Sequence, residues 1–341
     1  MFRSDSVREK LAKLSPEKRL LLEKRISGKS IPEKSSEIIL PRSETGPVPL
    51  SFSQQRLWFL DQLEENSTVY NEVGGLNITG PLEVTVLEQC LTEIIQRHEI
   101  LRTTFPTKDE VPVQDIAPPQ AVTITLINLQ SLPGKEAWEE LQRLTIEEKQ
   151  KRFDLVKGPL LRINVLQLPD IPTAEGARVQ NYVFLLTVHH IIYDGWSMEI
   201  LTHELSTLYE SFSHGRPSPL HHLPIQYADF ASWQRKWLGG KVLEQQAAYW
   251  KQQLAGSPTL LDLPTDYPRP SIQRFQGASL EFNLSSEITN QLKQLSQQTE
   301  TSLFMALFSA FAILLSRYSG QRDIVVGSPV ANRTQSQVEH L

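Results

Sequence analysis

The feature that most constrains the fold is a pair of apolar, strand-like runs followed directly by an amphipathic helix. The runs are Leu161–Leu168 and Tyr182–His189, and the residues between them include Pro, Asp, Gly and Glu, as is typical of a hairpin connection. From about Ser197 apolar residues recur at helical spacing. This helix is expected to bury Ile200, Leu201, Leu205, Leu208 and Phe212. The order predicts a sheet whose last strand leads into a helix.

A second helix precedes these strands and fixes the fold class. Its apolar face follows the spacing i, i+3, i+4, i+7, i+8 and i+11. The residues of that face are Leu87, Cys90, Leu91, Ile94, Ile95 and His98. It runs into a strand-like stretch, Leu101–Phe105. Mixed strands and helices without a Gly-rich phosphate loop favour an α+β or mixed α/β fold over a doubly wound sheet.

The last third of the chain reads as a second lobe. The proline-rich stretch 263–270 marks the expected boundary, and an extended piece is expected near Leu280–Leu284. Helices are predicted from about Ser286 and over Leu303–Tyr318. Asp323–Val326 then reads as a buried strand that turns at Gly327–Pro329. We therefore divide the chain into 1–47, a helical docking or linker segment, 48–262, a first lobe, and 263–341, part of a second lobe.

Composition places the chain among ordinary globular proteins. It has 341 residues, of which 40% are hydrophobic and 21% charged, so wholesale disorder is excluded. Its one cysteine, Cys90, excludes an internal disulfide framework and fits a reducing compartment. The longest apolar run, 303–315, is too short to span a bilayer, and the N-terminus lacks an apolar secretory core. A cytoplasmic protein without membrane contact is expected.

Charge is unevenly distributed along the chain. The net charge is −5, but residues 1–44 hold 11 basic and 7 acidic residues, which leaves 23 basic and 32 acidic residues in the remainder. An acidic body argues against nucleic acid as the main partner. The basic first segment has helical periodicity between Ser6 and Ile26. It is either a solvated tail or a segment that docks on an upstream protein.

The candidate chemistry lies in Val188–Ser197, where a strand ends and a helix begins. Consecutive strand residues point to opposite faces, so one of His189 and His190 is expected to pack inside and the other to face a ligand. Asp194 is placed to restrain an imidazole or to pair with an arginine. Gly195 is expected to permit close backbone approach or a positive φ.

Other interpretations of these residues must be weighed. Two adjacent histidines are often only structural. Metal binding needs three or more ligands, and nothing nearby supplies a third beside His190 and Asp194, so no metal is expected. His221–His222 reads as loop. No nucleophile elbow is present, which leaves a direct transfer assisted by an imidazole as the chemistry that suits this site.

Five sequence motifs occur in order between about residues 50 and 333. The central one is His189-His190-Ile-Ile-Tyr-Asp194-Gly195. Two lie before it and two after it, and these four are Ser51–Leu60, Arg97–Phe105, Tyr227–Gln234 and Val326–Arg333. Together the five resemble the motifs of condensation domains of nonribosomal peptide synthetases, and the central one matches the HHxxxDG signature of that family.

The resemblance implies a fold similar to chloramphenicol acetyltransferase, with two lobes in a V and the active site in a tunnel between them. It implies that an acceptor amine attacks a donor thioester, both delivered by carrier proteins on phosphopantetheine arms, with no cofactor bound to the domain itself. An adenylation domain of the same synthetase is the implied neighbour.

Site residues carry over from the resemblance position by position. His190 is the implied active-site histidine and His189 its structural neighbour. Asp194 is the implied loop-orienting acid, with Arg102, or else Arg97, as its expected partner. The backbone N–H near Gly195 is a candidate oxyanion donor. The expected tunnel residues are Trp196, Ser197, Ser328 and Asn332.

Two alternatives remain open. Family members continue beyond the fifth motif, so a C-terminally truncated domain with an incomplete second lobe is expected, and the chain then acts either as an enzyme or as a non-catalytic carrier-docking fragment. An ester-forming or epimerising relative is the other alternative. The paired histidines speak against cyclising domains, and Gly195-Trp196-Ser197 favours condensation over epimerisation.

Overall fold

The computed structural model of the protein describes residues 38–43, 46–64, 67–173, 176–271, 277–333 and 335–341. Over these residues it contains two sheets and eight helices, and the predicted mixed α/β class is confirmed. The amphipathic segment predicted at Ser6–Ile26 lies outside the described residues. The division at residues 47 and 262 stays a prediction.

The strands form one large and one small sheet. In chain order they are β1 (Val48–Pro49), β2 (Asn71–Thr79), β3 (Thr103–Thr104), β4 (Thr107–Lys108), β5 (Val111–Ile116), β6 (Thr125–Asn128), β7 (Leu161–Pro172) and β8 (Arg178–His189). The large sheet has the order β2-β8-β7-β6, with β6 parallel to β7 and the other pairs antiparallel. In the small sheet β5 pairs with β1, β3 and β4.

Eight helices surround these sheets within the described ranges. They are α1 (Phe52–Leu63), α2 (Val84–Arg97), α3 (Gly134–Gln150), α4 (Gly195–Ser213), α5 (Tyr227–Trp237), α6 (Gly240–Gln253), α7 (Ser286–Gln298) and α8 (Leu303–Ser319). The helices predicted from the apolar periodicity at 87–98, 197, 286 and 303 are therefore confirmed, with small shifts at their ends.

The predicted pair of strands is confirmed and forms the centre of the large sheet. β7 and β8 are antiparallel from Leu161 opposite Val188 to Leu168 opposite Asn181, with an irregularity before Ile171. Alternate residues of β8 enter different cores: Phe184 and Leu186 pack with α2 and α4, whereas Val183 and Leu185 pack with α3. Because both faces are covered, the strand is apolar without alternation.

Two predicted strands differ from the structure. Glu99–Arg102 is a 3-10 turn, so only Thr103–Thr104 of the strand expected at 101–105 forms. Among the described residues, Asp323–Val326 pairs with no strand and is not buried. A strand is stable only beside a partner that completes its hydrogen bonds, so an apolar sequence alone does not form one.

Residues 38–43 lie against the body of the protein. Ile39 is buried in a cluster with Ile225, Val338 and Leu341. Its N–H donates to Oε1 of Gln337 at 3.0 Å. This short segment therefore connects the start of the described chain to its last residues.

Within the described ranges no single helix is long and apolar enough to cross a bilayer. Helices α7 and α8 meet that length and composition only as a pair, and they are bent by 107° at the break between them.

The two-faced core makes a direct stability prediction. We expect Phe184→Ala, at a residue 2% exposed, to lower the free energy of unfolding by about 3–5 kcal/mol, because it removes a ring from the sheet–helix core. Phe282→Ala, at a residue 79% exposed, is the matched control and is expected to change it by less than about 0.5 kcal/mol. Urea unfolding followed by circular dichroism measures both, and equal losses would contradict this account of the core.

Candidate active site

His189 is the last residue of strand β8 and His190 follows it, and the two side chains have different surroundings. His189 pairs with Asn71 of β2, and its N–H donates to the carbonyl of Leu160 at 3.0 Å. The N–H of His190 donates to the carbonyl of Tyr70 at 2.9 Å. His189 is 4% exposed, whereas the side chain of His190 is 36% exposed. One histidine therefore packs inside and the other faces outward, as the strand periodicity predicts.

His189 stabilises the loop that follows it. Its Nδ1 accepts the N–H of Ile191 at 3.1 Å, so that nitrogen is unprotonated. The rings of Phe153 and Tyr70 lie 6.2 and 6.3 Å from it. Burial, assisted by the neighbouring His190, lowers the pKa of His189 to about 4. A neutral imidazole with one ring nitrogen engaged in the loop is suited to structure rather than to proton transfer.

His190 lies in a different electrostatic environment. Its Nδ1 is 3.0 Å from Oε1 of Glu72. The pKa of His190 is raised, first by this carboxylate, against burial, with smaller contributions from the backbone of Tyr193 and the charge of Asp194. Two adjacent imidazoles thus have pKa values shifted in opposite directions, a contrast that is common at functional sites.

Asp194 begins helix α4 and holds the loop closed. Its Oδ1 accepts the backbone N–H of Ser197 at 2.9 Å and the Ser197 hydroxyl at 2.6 Å, which caps the helix. The same oxygen accepts a hydrogen bond from Arg333 at 3.0 Å. Burial alone would raise the pKa of Asp194, but these contacts with Ser197 and Arg333 outweigh it and lower the pKa.

The expected arginine partner of Asp194 is wrong. Arg102 ends the 3-10 turn and donates to the carbonyl of Ala117, and Arg97 forms an ion pair of 2.8 Å with buried Glu204. Both guanidinium groups are therefore engaged elsewhere. The prediction failed because it assumed that Arg102 opens a strand, whereas the chain there is still coiled in a turn.

Arg333 is the functional-site residue that sequence reasoning missed. It ends the fifth motif, and its guanidinium also donates to the carbonyls of Val338 and Leu341. Its side chain is 10% exposed, so the pair with Asp194 is largely shielded on the arginine side. Asp194 lies 139 residues earlier, and no spacing rule connects residues so far apart. The signal in the sequence that could have identified this partner was the presence of an arginine in the fifth motif.

The remaining candidates divide into two groups. Ser197 contacts Asp194, and Trp196 is 42% exposed and donates its indole N–H to the carbonyl of Glu339 at 3.1 Å. Ser328 and Asn332 are exposed, and their side chains form no hydrogen bond to the histidines within the described part of the chain. Tunnel roles for all four stay predictions.

Gly195 does not have the positive φ that was one of the two alternatives expected for it. It is the first residue of α4, and a Cβ added there would meet no atom within 4 Å. Neither backbone strain nor packing inside the protein therefore requires glycine at this position. The position is exposed to solvent.

An apolar cavity lies beneath the loop. Its volume is small, about 50 Å³, and aliphatic side chains from α2, β7, β8 and α4 line it together with His98, Tyr193 and Ser197. The Tyr193 hydroxyl is buried without a hydrogen-bond partner within the described part of the chain, and burial raises its pKa. The loop therefore rests on a largely apolar cavity.

Metal binding finds no support in the geometry. Over the described residues no three His, Cys, Asp or Glu side chains come together in a way that would hold a metal ion. His221 and His222 are exposed in a loop, as predicted.

The Asp194–Arg333 pair predicts a pH-dependent stability. Asp194→Asn keeps the helix cap but removes the charge, and we expect a loss of about 1 kcal/mol at pH 7, because the 41% exposed carboxylate is screened by solvent. The folded pKa is lowered, so this stability is present above the unfolded value near 4 and is lost as pH falls through the folded value.

The measurement is urea unfolding at pH 7 and at pH 3. Asp266→Asn, at an exposed position that forms no ion pair within the described residues, is the matched control. A difference between Asp194→Asn and the wild type that stays constant down to pH 3 would contradict the ion pair.

Comparisons with known proteins agree with this geometry. The family model described as "Condensation domain" matches residues 44–341. Malpinin synthetase of Mortierella alpina is 42% identical over 309 residues, which are 91% of this chain and 4% of that protein. Phosphinothricin tripeptide synthetase PhsC of Streptomyces viridochromogenes is 39% identical over 337 residues, or 99% of this chain and 30% of that protein. The chain thus spans a small part of these relatives.

Solved structures share the fold. The X-domain from teicoplanin biosynthesis superposes with a TM-score of 0.70 at 27% identity, covering 82% of this chain and 59% of that one. The first condensation domain of the calcium-dependent antibiotic synthetase gives a TM-score of 0.70 at 22% identity, with 86% and 67% covered. The prediction from the five motifs is confirmed: the chain belongs to the condensation-domain family of nonribosomal peptide synthetases.

Proposed function

We propose that this protein forms a peptide bond between two substrates held as thioesters on separate carrier proteins. The observation that carries the proposal is the half-exposed imidazole of His190, placed at the junction of β8 and α4 and distinct in pKa from its buried neighbour. The family membership supports the same reaction. A site that offers one imidazole and no covalent nucleophile suits direct transfer.

The reaction is a single acyl transfer. The amine nitrogen of the acceptor attacks the thioester carbonyl carbon of the donor, so that a C–N bond forms and the C–S bond breaks. The nitrogen loses a proton, and the departing sulfur of the donor's phosphopantetheine arm takes one up. His190 is placed to accept the first proton and to return it to the sulfur. The lengthened peptide stays on the acceptor carrier.

Positioning contributes as well as proton transfer. Both substrates arrive on long arms, so holding the amine beside the carbonyl removes much of the entropy cost of their encounter. A hydrogen bond from the amine to the imidazole serves this purpose even where little proton transfer occurs. We propose that Trp196 and Ser197, at the start of α4, border the path of the substrates.

The helix that follows the loop adds electrostatic stabilisation. The first N–H groups of α4, at Gly195 and Trp196, have no partner inside the helix, and the positive end of the helix dipole lies there. A developing oxyanion on the thioester carbonyl is stabilised by such donors. Asp194 and Arg333 keep this end of the helix beside His190.

Partners and location follow from this chemistry. The donor and acceptor carriers supply the phosphopantetheine arms as parts of the substrates, so the domain needs no bound cofactor. An adenylation domain of the same synthetase is the proposed neighbour that loads the acceptor carrier. We also propose a cytoplasmic location, because the single, buried cysteine fits a reducing compartment.

A mass-spectrometric condensation assay tests the proposal. The purified protein is mixed with a donor carrier loaded with one amino acid and an acceptor carrier loaded with another, and the mass of the acceptor carrier is followed. We expect a gain of one residue, and we expect His190→Ala to reduce its rate by about 10²–10⁴-fold, since it removes the proton acceptor.

His222→Ala is the matched control, because that histidine is exposed in a loop away from the site. It is expected to leave the rate unchanged. No mass gain from the wild-type protein, with both carriers still binding, would contradict the enzymatic proposal and favour a docking role. Equal rates for His190→Ala and the wild type would contradict the role of His190.

A further inference from the structure

Glu72 is an unusual residue for its place in the sheet. It lies near the start of β2, directly opposite Val188 of β8. Residues directly opposite each other share a face of the sheet, and His190 follows Val188 by two positions on that face. The strand pairing therefore brings a carboxylate to the same side as the candidate active-site imidazole.

The other residues of this row are apolar or small. Leu76 and Ile78 alternate with Glu72 along β2 and pack against the main core. At Gly74 an added Cβ would come within 2.6 Å of the Met198 side chain of α4, so the helix approaches the strand closely there. A carboxylate is the exception in this row, and the partner within its reach is His190.

The contact is specific in its atoms. Oε1 of Glu72 lies 3.0 Å from Nδ1 of His190. That nitrogen is buried, and the contact has ion-pair distance although it does not meet the angular requirement of a hydrogen bond. The side chain of Glu72 is 43% exposed.

The other charged or titratable groups around His190 are engaged elsewhere. His189 is neutral, because burial lowers its pKa to about 4. Asp194 is paired with Arg333 and Ser197. Two phenols complete the surroundings, and burial raises the pKa of each, so both are neutral. The groups considered are His189, Tyr193, Asp194, Tyr227 and Arg333. The Glu72 carboxylate is therefore the charged group in contact with the imidazole ring of His190.

We propose that Glu72 is a positioning residue for His190, which keeps the hydrogen of the neutral imidazole on Nδ1 and leaves Nε2 as the proton acceptor. The inference rests on the proposed peptide-bond formation. A carboxylate that bonds one ring nitrogen both fixes the tautomer and stabilises the imidazolium that forms when the other nitrogen takes a proton. Glu72 acts through His190 and touches no reacting atom in this account.

This role makes a signed prediction for the pH profile. The carboxylate stabilises the protonated ring, so its removal lowers the pH at which His190 becomes neutral. The acidic limb of the rate profile therefore moves to lower pH in Glu72→Gln. The plateau at higher pH falls at the same time, because the tautomer and the ring orientation are no longer fixed.

The first experiment is an NMR titration of ring-labelled histidine in the intact chain. His190 is assigned by the signal that disappears in His190→Ala. In Glu72→Gln we expect its midpoint to fall by about 0.5–1 pH unit, a modest shift since the carboxylate is partly exposed. The ring nitrogen shifts are expected to show hydrogen on Nδ1 in the wild type and a mixture of tautomers in the variant.

Glu199→Gln is the matched control. It removes the same charge from an exposed position on α4, and we expect neither the midpoint nor the tautomer of His190 to change. An unchanged midpoint and tautomer in Glu72→Gln, with circular dichroism equal to that of the wild type, would overturn the inference.

The second experiment is the condensation assay across pH. We expect Glu72→Gln to lower the plateau about tenfold and to shift the acidic limb in the direction of the NMR midpoint. A lower plateau with an unshifted limb would overturn the inference, since a general structural effect produces that pattern. Absence of product from the wild-type protein, with the NMR shift present, would instead overturn the proposed reaction and leave the tautomer assignment standing.

Discussion

Strand β8 is hydrogen-bonded to a neighbour on each side, and the position of the site follows from that pairing. β2 and β7 hold it along its length, and two different cores cover its faces. The last residue of such a strand has little freedom. His189 therefore remains in the sheet, and His190, one residue later, leaves it with its backbone N–H still bound to Tyr70. Because the strand is held on both sides, the two adjacent histidines have different surroundings: His189 is buried and His190 is partly exposed.

The electrostatics of the loop follow from the same geometry. His189 is buried and neutral, His190 faces a carboxylate, and Asp194 faces a guanidinium. Each side chain thus has a separate partner, and the three do not compete for one proton. Below them lies an apolar cavity that Tyr193 and Ser197 of the loop help to line.

Local patterns predicted much of this fold because local physics decided it. The helix faces at 87–98 and 303–318 and the strands at 161–168 and 182–189 are set by apolar periodicity over neighbouring residues. The opposite orientation of His189 and His190 follows from the two-residue period of a strand. The failures have one cause in common. A strand at 323–326 and a partner for Asp194 both depend on what lies across space, and neither periodicity nor composition reports that.

Glu72 is a second residue whose position in the site depends on contacts that the sequence alone does not show. In the sequence it is one of 39 acidic residues, placed more than one hundred positions before the histidines. Only the register of β2 against β8 brings it to the ring of His190. A resemblance to a family identifies the residues in its motifs, whereas strand register also identifies the residues that lie beside them.

The ion pair between Asp194 and Arg333 connects the loop after the histidines to both ends of the described chain. Arg333 holds Asp194 with one nitrogen, and with another it binds the carbonyls of Val338 and Leu341. Gln337, in that same stretch, exchanges two hydrogen bonds with the backbone of Ile39. Because Asp194 caps α4, a displacement of residues 38–43 or 335–341 acts on the helix end that faces His190. The geometry of the loop is thus fixed by three segments that are distant in the sequence, and only one of them contains the histidine motif.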